Sequence, residues 1–292
     1  MQIGPILAIM AAMSFAMGQV IVRRGVSRTG ESFSAVLVGL FAGTFLFAFV
    51  LFFTGDWHKI WSLSLHGWIL LAAAGIIHFA CGRLLSYYAI KVIGANKASI
   101  IGRTNVLYAV TFGIVFLNEP VTSYLVVGVL CIIFGVTLVG LAKEEKSHKL
   151  RGRGVIAELG AGLFMGTSPI FIKSAIGEIG STLAATFISY LAASLVIATL
   201  LLGKGQRAQL AQLNRFSLII LILGGTFFAT GQLLRYTALS YSPVSVINPL
   251  ACTVVIFVLT FSFLINRNLE VFTWKVFVGI ASIVFGATLL FH

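Results

Sequence analysis

The sequence is short of acid. Only eight of its 292 residues are Asp or Glu, and Asp56 is the single aspartate. Charged residues of both signs reach 10%, where a soluble domain carries about 25%. Hydrophobic residues make up 59%. So little polar surface cannot cover the chain in water, and lipid is the expected solvent for most of its exterior. The shortage also narrows the chemistry. The apolar runs hold no paired carboxylates, and HExxH and GxSxG are both missing, so a membrane-embedded enzyme is disfavoured. Cysteine is scarce as well. Cys81, Cys131 and Cys252 fall inside apolar runs at no metal-ligand spacing, and they read as small packing residues. No metal and no cofactor is expected.

Long apolar runs are what the chain has. Candidate spans are 3–22, 33–54, 67–90, 94–117, 121–142, 154–173, 182–203, 217–240, 243–265 and 271–291. Each is near the roughly 20 residues that cross a bilayer as a helix. None shows the short polar–apolar alternation of barrel strands. The expectation is an all-α membrane protein of ten spans, with no soluble domain of useful size. The first run lacks a charged segment before it and does not read as a cleavable signal.

The formal net charge of +12 follows topology rather than a nucleic-acid surface. When loops are taken alternately, one side holds Arg23, Arg24, Arg28, Lys91, Lys97, Lys143, Lys146, Lys149, Arg151, Arg153, Lys204, Arg207, Arg215 and Arg267, which is 14 of the 20 Lys and Arg. Lys59, Lys173 and Lys275 belong to the other. The positive-inside rule makes the basic side cytoplasmic and puts both termini outside a cell (inner or plasma) membrane.

Two halves repeat. Residues 1–142 and 154–292 are joined by a charged linker, 143–153. Gly82, Leu84, Leu85, Tyr87 and Ala89 match Gly231, Leu233, Leu234, Tyr236 and Ala238 at an offset of 149. Gly128, Ile132, Phe134, Gly135, Thr137 and Leu138 match Gly279, Ile283, Phe285, Gly286, Thr288 and Leu289 at 151, as Glu119 matches Glu270. Gly4, Ile6 and Ala11 match Gly154, Ile156 and Ala161 at 150. Five spans is an odd number, so the second half enters the bilayer from the opposite face. Inverted repeats of this kind recur in secondary transporters.

With Leu117-Asn118-Glu119-Pro120 before the fifth span and Ile93-Gly94-Ala95-Asn96-Lys97-Ala98-Ser99 opening the fourth, the chain resembles the drug/metabolite transporter superfamily, closest to its EamA-like members. The resemblance covers essentially the whole chain and implies a carrier of small molecules. Many members carry a Trp-Gly or Trp-Ala pair eight residues before a basic residue in the first helix of each repeat. Here Phe15-Ala16 precedes Arg23 and Met165-Gly166 precedes Lys173.

Polar residues inside spans are costly and each needs a reason. Arg83 sits roughly 12 Å from the cytoplasmic end marked by Lys91, at 1.5 Å per residue. Tyr87 is one turn along the same face. Asn96, Ser99 and Arg103 form one stripe of the fourth span, and Ser245, Asn248 and Cys252 form its counterpart. Gln232 is the repeat equivalent of Arg83, followed by Arg235 and Tyr236. The ordinary reading of the arginines is snorkelling to headgroups, strongest for Arg235. The functional reading is a cavity lined by Gln19, Arg83, Tyr87, Arg103, Gln232, Tyr236 and Asn248. His78 reads as a satisfied interior histidine. Ser168-Pro169 and its equivalent Gly18-Gln19 suggest gating kinks, and Pro249 another. Gly39 and Gly43 read as packing notches. Glu158 reads either as an exposed helix-start carboxylate or as a proton-coupling site.

The sequence favours an alternating-access carrier for an anionic or zwitterionic metabolite, such as an amino acid or organic acid. A cationic cargo would need acids that the spans lack. A flippase for a lipid-linked, phosphate-bearing substrate is the alternative. The expected partners are a small molecule and the lipid bilayer, with no nucleic acid, in a monomer or homodimer.

Overall fold

The computed structural model describes residues 3–29, 32–142, 151–199, 210, 213–265 and 273–291. Outside that description fall linker residues 143–150, Glu270, His292, the side chains of Asn96, Arg23, Arg24 and Arg28, and the basic residues Lys204, Arg207 and Arg267.

Every described element is helical. The first half runs α1 (Ile3–Thr29), α2 (Ser32–Thr54), short α3 (Trp57–Trp61), α4 (Leu65–Gly75), a π turn (Ile76–Gly82), α5 (Arg83–Ile93), α6 (Ala95–Gly102), α7 (Thr104–Leu117) and α8 (Ser123–Ala142). The second runs α9 (Gly152–Ile179), α10 (Thr182–Thr199), α11 (Arg215–Tyr241), α12 (Val244–Ala251), α13 (Val254–Ile265) and α14 (Trp274–Leu289). α4, the π turn and α5 make one rod. α6–α7 and α12–α13 are each one span broken midway. Each half thus has five crossings. Among the described residues nine helices are long and apolar enough to cross a membrane, and α14 is a shorter apolar tenth. Its 16 residues cover about 24 Å at 1.5 Å each.

Local signals explain the ends. The Ser64 side chain accepts from Gly67 N at the start of α4, and Asn214 Oδ1 accepts from Ser217 N at the start of α11; both fill orphan donors of a first turn. Gly94, at φ 84°, turns the chain between α5 and α6. The outer faces are apolar throughout: Phe45, Phe49 and Phe52 of α2 stand exposed, as residues facing lipid do.

The inversion expected from the odd span count is visible in the contacts. α1 packs on α11 as α9 packs on the α4–α5 rod, and α8 packs on α14. Two hydrogen bonds join repeat equivalents. Thr44 Oγ1 and Ser194 Oγ are 2.9 Å apart at a separation of 150 residues. Ser282 Oγ donates to Cys131 O at 2.7 Å across 151. A residue that touches its own equivalent marks a pseudo-two-fold axis, and this one passes between α2 and α10 and between α8 and α14. Glycines let the halves approach along it. A Cβ on Gly135 would lie 2.4 Å from Gly279 O, and one on Gly128 would lie 2.9 Å from Gly286 O. Gly39 meets Gly225 just as Ser189 meets Gly75. Small residues at helix crossings are how membrane helices pack tightly where lipid tails give no hydrophobic drive.

Candidate functional site

Two chambers lie on the basic half of the bundle. The larger, about 380 Å³, runs from Phe79 and Tyr190 at midspan to Val22, Ala35 and Ile90 near the end where Lys91 sits. Gln19, Arg83 and Tyr87 also line it. The smaller, about 130 Å³, is lined by Gln19, Ser99 and Arg103 with apolar residues of α8 and α13. Gln19 belongs to both and stands between them. The two arginines expected in one cavity therefore occupy adjoining ones.

Arg83 does not snorkel. Its guanidinium lies over the rings of Phe79, at 5.5 Å, and Phe228, at 5.2 Å. Such cation–π contacts hold the group in place while leaving its in-plane donors open to a ligand. The π turn that precedes it is a feature common at functional sites. It also carries His78, whose Nδ1 lies 2.8 Å from Ser168 Oγ. That hydroxyl donates to Met165 O, the carbonyl which Pro169, lacking an N–H, leaves open. The one hydroxyl proton being spent, His78 donates from Nδ1. His78 is the satisfied interior histidine expected.

Gly18 and Pro169 sit within helices that run unbroken. The breaks lie elsewhere, at Arg103 between α6 and α7 and at Cys252-Thr253 between α12 and α13. The second break comes just after Pro249, and the two are repeat equivalents at an offset of 149. The Arg103 guanidinium lies against Cys252, so the broken spans meet at their breaks. Discontinuous helices at matching places are a mark of transporter sites.

Glu158 is not an exposed helix-start carboxylate. α9 begins at Gly152, so Glu158 lies beyond the first turn, and it is 5% exposed. Ser86 Oγ donates to its Oε1 at 3.1 Å, while Oε2 is buried with no partner. A Cβ on Gly102 would fall 2.4 Å from Oε1, which places the carboxylate directly against the α6–α7 break.

Gln232, Tyr236 and Asn248 line neither chamber. Gln232 and Tyr236 are buried on α11, Tyr236 bonded to Ser189. The amide nitrogens of Gln232 and Asn248 meet no acceptor. Arg235, the residue most expected to snorkel, is buried instead.

The end opposite the basic one is closed, by contacts the sequence did not disclose. Buried Glu119 accepts from Val244 N at 2.6 Å and Ser245 N at 2.8 Å, so a carboxylate of the first half caps α12 of the second. Lys173 Nζ donates to Leu239 O and Ser242 O at the end of α11. One acid and one base thus pin both sides of the α11–α12 turn, matching the dipole at each helix end. Phe79, Tyr190 and Phe228 also escaped sequence reading. With aromatics at 12% of the chain, nothing distinguishes wall-forming rings from lipid-facing ones.

The comparisons agree with this architecture. A family model, the EamA-like transporter family, matches twice, over residues 2–141 and 152–292. One solved structure is 13% identical over 98% of this chain and 96% of its own, with a TM-score of 0.78; at that identity it speaks for the fold alone. No curated protein matches significantly. The chain belongs to the EamA-like transporter family of the drug/metabolite transporter superfamily, and is a multi-pass membrane transporter.

Proposed function

We propose that this protein is a secondary transporter for a small anionic or zwitterionic metabolite, working by alternating access in the cell (inner or plasma) membrane. The observation that carries the reading is Arg83, whose guanidinium lies over two rings on the wall of a chamber within the bundle. A planar fork of donors suits a carboxylate or phosphate, which accepts two parallel charge-assisted bonds. Gln19 and Tyr87 supply neutral polar contacts, and Arg103 offers a second cation one chamber away. The basic end is the cytoplasmic one by the positive-inside rule, so the chamber opens inward. Glu158, buried beside the broken fourth span, is the candidate for proton coupling.

The test is uptake of carboxylates and phosphates into proteoliposomes, followed by Arg83→Gln and Arg103→Gln one at a time. Each is expected to lose affinity by about tenfold or more, the scale of removing a charged hydrogen-bond partner. Unchanged affinity in both folded variants would reject the assignment.

One observation favours the flippase alternative. An apolar groove of about 810 Å³ faces lipid between α2 and α11, and Gly39 and Gly225, which meet where these helices cross, line the larger chamber behind it. It could seat an acyl chain whose phosphate reaches Arg83. Saturable uptake of a water-soluble anion would favour the carrier; transfer of a lipid-linked phosphate alone would favour the flippase.

A further inference from the structure

Arg235 is a buried cation without an anion. It is 7% exposed, and its Nε and Nη2 meet no acceptor. It forms no ion pair with any described carboxylate, and Glu158, the acid closest to midspan, lies against the α6–α7 break instead. One turn earlier on the same face of α11, Gln232 is 2% exposed with Nε2 equally unpartnered. A desolvated charge with idle donors is expensive, and proteins retain one mainly where a partner arrives.

The position of Arg235 says when that partner would arrive. α11 crosses from the basic end at Arg215 to the closed end at Tyr241. Phe228, which stacks on Arg83, lies two turns back toward the basic end, about 10 Å at 1.5 Å per residue. Between the arginines stands a wall of rings. Phe79 packs edge-on to Tyr190 at 4.8 Å and to His78 at 4.7 Å, and Phe47 packs on Tyr190 at 5.1 Å. Tyr190 and His78 each lie within electrostatic range of both guanidinium groups, as the two arginines do of each other. Tyr190 closes the inner end of the chamber that Arg83 lines.

We propose that Arg235 and Gln232 form a second anion-binding station, sealed from the chamber by the Phe79–Tyr190 wall and filled when the opposite end opens. The inference rests on the anion-carrier reading and extends it. The substrate's carboxylate or phosphate is first held by Arg83, then passes to Arg235 as the rings part, so the anion is never left without a cation in the membrane interior. With the ring wall in place, the protein itself offers these donors no acceptor.

The decisive variant is Gln232→Glu, nearly isosteric, which gives Arg235 a counter-ion of its own. The probes are acetate, benzoate and inorganic phosphate, read as thermal stabilisation of the purified full chain and as counterflow exchange in proteoliposomes. The native protein should bind and exchange at least one of the three. Gln232→Glu should keep that affinity within about twofold, because Arg83 is untouched, melt no lower than native, and exchange about tenfold or more slower, since a charged hydrogen-bond partner is withdrawn from the substrate. Arg235→Gln should show the same slow exchange, with partial recovery in Arg235→Lys. Native-rate exchange in folded Gln232→Glu would overturn the station while leaving the carrier reading intact. A lower melting temperature with binding and exchange lost together would make Arg235 structural and overturn it too. Failure of the native chain to bind any of the three anions would overturn both.

Discussion

Arg83, Gln19 and Tyr87 were legible in the sequence because polar side chains in an apolar run demand a cavity or a partner, and the structure supplies the cavity. Glu158 was ambiguous for a physical reason. Its distance from the helix start decides between water and burial, and α9 starts two residues before the apolar run does. If Glu158 couples protons, Glu158→Gln should abolish acceleration of uptake by an inward-directed acid gradient while leaving anion exchange at equal pH on both sides. Acceleration equal to native would remove Glu158 from the coupling path. Outside the spans, Asp56 pairs with Lys59 at 2.8 Å and accepts from Ser181 at 2.9 Å. The Lys59 contact first, and the Ser181 hydroxyl next, hold its carboxyl below the usual value of 3.8. A depressed folded-state pKa stabilises above the unfolded value and is lost as pH falls through the folded one. Asp56→Asn should therefore lower the melting temperature slightly at neutral pH, and by less and less as pH falls below 3.8, with a cost under about 1 kcal/mol for so exposed a pair. Melting curves of both proteins across pH would check the crossover.

At the scale of helices the sequence pointed to the spans and, at Pro249, to the neighbourhood of one of the two breaks. Pro169 suggested a kink, yet Ser168 takes over the stranded Met165 carbonyl and α9 continues. The true breaks, at Arg103 and Cys252-Thr253, carry no proline at the break itself. They arise where Gly102 yields space to the Glu158 carboxylate and where α12 ends two residues past Pro249. The Glu119 cap was half legible. Its match to Glu270 is a feature of the sequence, but the capping of a helix in one half by a carboxylate of the other arises only from tertiary packing. Glu119→Gln keeps the shape and loses charge assistance, so stability should fall by about 1–2 kcal/mol. Guanidinium melts would read it, and an unchanged midpoint would mean the cap is idle. Gly75 is tighter. A Cβ there would sit 2.0 Å from Ser189 O, so Gly75→Ala should cost about 3 kcal/mol or more, at the upper end of overpacking penalties. A native-like yield and melting temperature would show that α4 can slide on α10.

For the whole molecule, repeat offsets of 149 to 151 became a physical axis, marked by Thr44–Ser194 and Cys131–Ser282. Offsets are legible in sequence because equivalent positions share packing demands. Which end is open is not, because both arrangements use the same residues. In the structure the chambers lie toward the basic end, and Glu119 with Lys173 ties the α11–α12 turn at the other. The account holds that these ends open reciprocally. The most direct measurement needs no substrate. Place single cysteines at Val36, on the chamber wall, and at Ser245, 1% exposed beneath the Glu119 cap, in a chain lacking Cys81, Cys131 and Cys252. Then compare thiol-labelling rates in nanodiscs with and without Glu119→Gln. Releasing the cap should raise labelling at position 245 and lower it at position 36, the two changes multiplying to about fivefold for a shift of about 1 kcal/mol. Labelling that rises at both positions, or that changes at neither, would contradict alternating access in this fold.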